Sequence, residues 1–241
     1  MWITSATSTD ERDRNADIAV LPVGSFEQHG SFLPLTTDTL VACCIAKRIS
    51  DDYNLFLLPP ITISCSHEHA SFAGTVSIRA RTLYTLIEDI SDSLRSSGVD
   101  KLVIVNGHGG NYVLSNVVQE ANTAGRRMTL FPNRTDWDTA RLDAGLETSH
   151  SADMHGGELE VSLLKYAWPA VVGEEHKSAH HNVYPRPHLL VTGMRGYTES
   201  GILGFPSLGT TAKGKSLLDS LSRCFKEHIS LLQGVTHQAP A

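Results

Sequence analysis

The segment SFEQHGSFLPLTTDT, residues 25–39, collects residue types that bind metals or transfer protons. It contains the pair Glu27-x-His29, followed by Asp38. An imidazole and two carboxylates can hold a divalent cation, or act as acid and base. Solvated turns often contain the same residue types, so this segment alone does not distinguish a site from a turn.

Three further segments carry the same residue types. The residues are His67, Glu68 and His69 in SHEH; Asn106, His108 and Asn111 in VNGHGGN; and His155, Glu158 and Glu160 in MHGGELEVS. Each segment has an ordinary interpretation when it is taken alone, as a glycine turn or a charged helix face. His108, however, directly follows an apolar run, where a buried imidazole without a partner would be costly. The recurrence of such clusters predicts one shared polar site.

The donor set points to a particular kind of metal. Imidazoles and carboxylates without a thiolate suit Zn²⁺, Mn²⁺ or Fe²⁺ rather than Cu(I) or an iron–sulfur cluster. A carboxylate such as Asp38 can bridge two cations about 3.5–4 Å apart. Such a pair lowers the pKa of a bound water and so supplies a nucleophile at neutral pH. The predicted chemistry is hydrolysis at an electrophilic carbon, most simply that of an amide.

Apolar runs that alternate with amphipathic stretches indicate an α/β fold, a three-layer α/β/α sandwich around a mostly parallel sheet. We expect strands at 17–24, 54–63, 101–107 and 127–133, and helices at 37–50, 80–98, 111–125, 157–168 and 210–234. No linker or repeat divides the chain, so we expect a single domain over residues 1–241 with a disordered tail at 235–241. Sites in parallel sheets form where loops leave the carboxyl ends of strands, which is where the polar segments fall.

Composition excludes several functional classes. The 241 residues carry a net charge of -6, and the pI is about 6.0, so no field attracts nucleic acid or an anionic membrane. The four cysteines show neither CxxC pairing nor the spacing of a disulfide framework, and we interpret them as reduced thiols of a cytoplasmic protein. The first twenty residues lack a basic start followed by an apolar run, so we expect no signal peptide.

Four motifs resemble, in order, those of the creatininase (creatinine amidohydrolase) family. They are PVGSFEQHGSFLPLTTDT, SHEHASFAGTVSI, VNGHGGN and HGGELEVSLL, and residues 199–215 resemble the family's closing segment. The resemblance implies an α/β/α fold, a binuclear metal centre and a homo-oligomer, a hexamer or smaller. The GHGGN form resembles the branch that includes the peptidase of the mycofactocin precursor.

The resemblance also implies metal ligands. Glu27 and His108 would hold one metal and His29 the other, with Asp38 as the bridge. The two metals would be Zn²⁺ or Mn²⁺, with Fe²⁺ as a further option. A single-metal site is the alternative.

The loop after the third strand departs from the family pattern GHYEN. Gly110 stands where that pattern has a glutamate, so another ligand is required. Glu160 is our candidate, with Glu158 as its alternative. His155 matches a family histidine thought to protonate the leaving nitrogen, and we group Glu158 with it as catalytic.

Further departures concern the substrate. Phe32, Val161 and Gly109 replace a histidine, a threonine and an aromatic residue of the family motifs, which argues against creatinine itself. The resulting prediction is a hydrolase of carbon–nitrogen bonds other than peptide bonds, acting on a small cyclic or formyl amide. A peptidase that trims a modified precursor peptide, or a metal-binding homologue without turnover, is the alternative. Residues 174–201, rich in histidine, proline and glycine, are interpreted as a surface or lid loop.

Overall fold

The fold centres on one parallel sheet. A computed structural model describes residues 4–234. Its strands are β1 (Ile18–Val23), β2 (Phe56–Leu57), β3 (Lys101–Asn106) and β4 (Met128–Phe131), in the spatial order β2-β1-β3-β4. Neighbouring strands pair in parallel. All of β1 and the interior of β3 are buried, as expected for strands covered on both faces.

Helices cover both faces of the sheet. They are α1 (Ser8–Arg14), α2 (Thr37–Tyr53), α3 (Ala80–Ser96), α4 (Val113–Ala121), α5 (Arg134–Asp143), α6 (Glu158–Ala167), α7 (Leu189–Thr192) and α8 (Thr211–Leu232). Successive residues of β1 enter different cores: Val20 packs with Phe225 of α8, whereas Leu21 packs with Leu83 of α3. This alternation confirms the predicted α/β/α sandwich.

Several predicted elements need correction. Helices α1 and α5 were not predicted, and the strand expected at 54–63 is regular only at Phe56–Leu57. Pro59 and Pro60 cannot donate backbone hydrogen bonds, so the segment continues beside β1 through the amides of Leu58 and Ile61 and the carbonyl of Ile61, which accepts from Gly24. The tail predicted at 235–241 lies outside the described residues.

The carboxyl ends of β1 and β3 bring two of the polar loops together. Val23 lies opposite Asn106, and each is followed by a glycine. A Cβ on Gly24 would lie 2.3 Å from the Cα of Thr39, and one on Gly107 would lie 2.2 Å from the carbonyl oxygen of Asp38. The two glycines therefore let the first turn of α2 approach the sheet edge closely.

Two further features concern the cysteines and the lengths of the helices. All four cysteines are free, as the absence of a pairing pattern predicted. Within residues 4–234, the helices are too short or too polar to cross a membrane.

Candidate metal centre

Asp38 lies at the centre of the candidate site. Its Oδ1 is 3.1 Å from His29 Nε2, and its Oδ2 is 3.0 Å from His108 Nδ1. The hydroxyl of Ser25 donates to Oδ2 at 2.6 Å. Burial opposes ionisation, but the positive charge of His29 and the hydrogen bonds from His108 and His29 hold the pKa of Asp38 well below its usual value. Asp38 is therefore a buried anion placed between two imidazoles.

Three buried histidines each bond a backbone carbonyl through one ring nitrogen. His29 Nδ1 is 3.1 Å from the carbonyl oxygen of Glu27, His108 Nε2 is 2.9 Å from that of Cys65, and His155 Nε2 is 2.7 Å from that of Gln28. A carbonyl can only accept, so these nitrogens carry the protons. Without a metal, the raised pKa values of His29 and His108 keep both rings protonated, and they donate to Asp38. With a metal bound, His29 Nε2 and the Nδ1 atoms of the other two rings would offer it their lone pairs. Metal-binding histidines are oriented in this way.

The carboxylate of Glu27 is buried without a hydrogen-bond donor. His69 Nε2 and His108 Nε2 lie 3.2 Å from its two oxygens, but neither contact has hydrogen-bond geometry. Burial raises the pKa of Glu27 to about 8. An ionised carboxylate in this position needs a cation, and a divalent ion reverses the effect of burial on its pKa. The unpartnered oxygens of Glu27 thus fit a bound metal.

The ligand atoms form two cation positions that share Asp38. Among the described residues, groups whose ligand atoms all lie within 4.8 Å of one another are Glu27, Asp38 and His108; His29, Asp38 and Glu160; and Glu27, His29 and His155. The first two groups contain the ligands that the resemblance implied, and the second also contains Glu160, our candidate for the missing ligand. The site thus fits two divalent cations, and its oxygen and imidazole donors suit Zn²⁺ or Mn²⁺.

Glu158 and Glu160 lie two residues apart on α6 and point to different places. Glu160 Oε1 is 3.8 Å from His29 Nε2, and its Oε2 accepts from the amide of Gly156. Glu158 instead accepts from Lys213 Nζ at 2.5 Å and from the amide and hydroxyl of Thr148. Residues i and i+2 of a helix do not share a face, so both cannot enter the site. The structure corrects the expectation for Glu158, whose carboxylate is not at the centre.

The wall beside Glu27 is formed by His155, His69 and Gln28. The ring of His155 lies 4.0 Å from that of His29 and 4.4 Å from that of His69. Burial, with the positive charge of His29, lowers the pKa of His155 to about 4. The amide nitrogen of Gln28 lies 2.9 Å from His69 Nδ1. The sequence singled out His69 as part of the polar segment SHEH, whereas no sequence pattern singled out Gln28.

A cavity of about 570 Å³ opens from the centre. Asp38, Glu160 and His155 lie at its base, and the outer lining includes Trp137, Arg134, Arg186 and Leu189. Arg186 and Leu189 belong to the segment 174–201, which therefore contributes to the cavity wall. None of the four histidines at 174–188 joins a cation-binding group of the described residues.

Two departures from the family motifs pack together away from the cavity. Phe32 and Val161 are buried in one apolar cluster with Leu40, Leu164 and Ile202. Phe32 does not line the cavity. The exchange of a polar for an apolar residue at 32 is thus accommodated by packing.

Comparison with known proteins assigns this site to a family. The family model described as creatinine amidohydrolase matches residues 4–229. The chain belongs to the creatininase family. The mycofactocin precursor peptide peptidase of Mycobacterium ulcerans is 35% identical over 214 residues, which cover 82% of this chain and 78% of that protein. The creatinine amidohydrolase of Pseudomonas putida is 26% identical over 171 residues, 64% of this chain and 66% of that protein.

A solved structure shares the creatininase fold. The crystal structure of creatinine amidohydrolase (creatininase) gives a TM-score of 0.80 at 22% identity and covers 97% of both chains. Creatininases are metal-dependent amidohydrolases, so the chain is a hydrolase of carbon–nitrogen bonds, as the sequence predicted. Its buried donor set fits the divalent metals of that chemistry.

Proposed function

We propose that the protein hydrolyses an amide bond at the centre formed by Glu27, His29, Asp38, His108 and Glu160. The observation that carries this proposal is the unpartnered, buried carboxylate of Glu27 beside Asp38 and the inward nitrogens of three histidines. Divalent cations held by these residues would supply an activated water and polarise the substrate carbonyl.

His155 is the proposed proton carrier. Its Nε2 is held by the carbonyl of Gln28, so Nδ1 is the nitrogen that can exchange a proton with the site. Nδ1 lies 3.8 Å from Glu27 Oε1. His155 is neutral before reaction because its pKa is lowered to about 4. It is thus placed to take a proton from the attacking water and to pass it to the leaving nitrogen.

The sequence put a small amide first, but the substrate we now favour is its alternative, the amide bond near one end of a modified peptide. The relative named mycofactocin precursor peptide peptidase is 35% identical to the chain and aligns over most of both proteins. Arg134 and Arg186 on the outer cavity lining provide positive charge beyond an anionic base. A peptide whose terminal carboxylate meets these arginines would present its last amide bonds towards the centre.

A small cyclic or formyl amide is the second substrate class. It is supported by the creatinine amidohydrolase relative and by the cavity, whose volume lies within the range of about 300–1,000 Å³ typical of small-molecule sites. Gly109, which lines the cavity where the family pattern has an aromatic residue, still argues against creatinine itself.

Metal analysis and a substrate screen test these proposals. We expect close to two equivalents of Zn²⁺ or Mn²⁺ in the purified protein, and one equivalent would support the single-metal alternative. Hydrolysis is then followed by mass spectrometry on a peptide panel with free or amidated C-termini and on a panel of small cyclic and formyl amides. If the protein carries far less than one equivalent of metal and Asp38→Ala changes no activity, it is a homologue without turnover.

Assembly and location remain predictions. The homo-oligomer implied by the resemblance is tested by light scattering of the purified protein. The cytoplasmic location is tested by cell fractionation.

A further inference from the structure

The two glycines of the GHGG loop have different surroundings. A Cβ built on Gly109 would meet nothing within 4 Å. A Cβ built on Gly110 would lie 2.0 Å from Glu68 Oε1 and 2.3 Å from His108 Nε2. The space beside Gly110 is thus already filled by the carboxylate of Glu68, which comes from a different segment of the chain.

Glu68 contacts a residue of the proposed metal centre. Its Oε1 lies 3.3 Å from His108 Nε2, on the side that lines the cavity. Within residues 4–234, no lysine or arginine nitrogen lies within ion-pair distance of this carboxylate. The carboxylate therefore acts on His108 rather than on a surface cation.

The segment that carries Glu68 also carries the carbonyl that holds His108. Cys65 accepts from His108 Nε2 at 2.9 Å, and its own amide is held by the side-chain oxygen of Asn111 at 3.1 Å. On the other side, a Cβ on Gly193 would lie 2.8 Å from the carbonyl oxygen of Glu68. The turn is thus fixed between the loop after β3 and the segment that lines the cavity.

We propose that Glu68 is a positioning residue of the metal centre, seated in the space that the missing side chain at Gly110 leaves. The carbonyl of Cys65 accepts the proton of His108 Nε2, and the negative charge of Glu68 beside that nitrogen favours the proton there. His108 Nδ1 then faces Asp38 with its lone pair free for a metal. A carboxylate behind an imidazole makes the ligand more basic and fixes its orientation. This inference rests on the proposed function, because it requires that the centre binds metal.

The test measures metal binding in the absence of substrate. The full-length protein is stripped with a chelator and titrated with Mn²⁺ alone. Glu68→Ala is expected to weaken Mn²⁺ binding by about 10–100-fold, the usual effect of removing a residue that orients a metal ligand. His67→Ala, on the exposed side of the same turn, is the matched control and is expected to bind as the wild type does.

Substitutions of the two glycines provide a second pair of test and control variants. Gly110→Ala is expected to weaken Mn²⁺ binding because its methyl group displaces Glu68 or His108, whereas Gly109→Ala is expected to leave binding within about threefold of wild type. Thermal unfolding in chelator shows whether each variant folds, and Glu68→Gln replaces Glu68→Ala if the latter does not.

Wild-type Mn²⁺ affinity in a folded Glu68→Ala or Glu68→Gln variant would overturn the inference. Equal losses in Gly109→Ala and Gly110→Ala would do the same. If the wild-type protein binds no metal at all, the proposed function itself fails. That result differs from the two outcomes above, in which the wild-type protein binds Mn²⁺.

Discussion

The base and the outer lining of the cavity are built in different ways. At the base, Asp38 and His155 are almost completely buried, and the carbonyl of Gln28 holds His155. In the outer lining, Arg134 is exposed and pairs with the exposed Asp138. Charges at the base lack competing solvent and are fixed in direction, whereas those outside are screened and mobile. We therefore expect the base to determine the reaction and the outer lining to adjust the choice of substrate.

The largest expected effect comes from removing the carboxylate shared by both cation positions. Asp38→Ala should reduce bound metal and lower kcat/KM by at least about a hundredfold, since roughly 1.4 kcal/mol of lost stabilisation corresponds to a factor of ten. Elemental analysis and hydrolysis of the substrate found in the screen measure the two losses. Asp38→Asn keeps the volume and serves as the control for packing. Full metal content in Asp38→Ala would contradict the proposal that two cations share Asp38.

Glu160→Gln and Glu158→Gln form a matched pair on one helix. Glu160→Gln should weaken metal binding by at least about tenfold, with little change in unfolding free energy. Glu158→Gln should leave metal binding unchanged and cost about 1–3 kcal/mol of stability, because Lys213 loses the buried one of its two charged partners. Metal titration and urea unfolding separate the two effects. The opposite pattern would mean that Glu158 is the ligand.

The buried base should also produce a pH dependence in the metal-free protein. Burial raises the pKa of Glu27 to about 8, above the value of about 4.3 for an unfolded chain. The native state therefore binds the proton of Glu27 more tightly than the unfolded chain does. The stabilisation that this proton provides is complete below about pH 4 and is lost as the pH rises through about 8. Chelator-treated wild type should lose stability over this interval relative to Glu27→Gln. Parallel curves for the two proteins would contradict the assignment.

The smallest expected effect lies in the outer lining. Arg134→Gln should raise KM for a substrate with a terminal carboxylate by about threefold to tenfold while kcat and metal content stay unchanged, the size expected for a solvent-exposed charge. The same variant should not change KM for an uncharged amide. An equal change for both substrates would show that Arg134 acts through the fold rather than through charge.

The sequence predicted the sheet and its main helices because the buried runs and the periodic helices carry local signals. Helix α3 was predicted at 80–98 and spans Ala80–Ser96. Helix α5 was missed although Asn133 and Asp136 form a capping box at its start, because few apolar residues mark its buried face. Where hydrophobic periodicity is weak, a capping box is thus the better sequence signal for the start of a helix.

The candidate site was predictable only in part for a different reason. The ligand types in SFEQHG and GHGG stand out because buried loops rarely concentrate histidine and acid. The roles of Gln28 and Glu68 depend on contacts between segments far apart in the chain, which no spacing pattern encodes. The choice between Glu158 and Glu160 likewise depended on a distant residue, because Lys213 on α8 forms an ion pair with Glu158.

The three carbonyls that hold His29, His108 and His155 belong to the main chain. Any amino acid supplies the same oxygen at positions 27, 28 and 65, so mutation of a neighbouring side chain does not remove it. A homologue that keeps the same backbone conformation therefore also keeps the orientation of these histidines. Descendants of such a chain can exchange residues around the cavity and acquire new substrates while the imidazoles keep their directions.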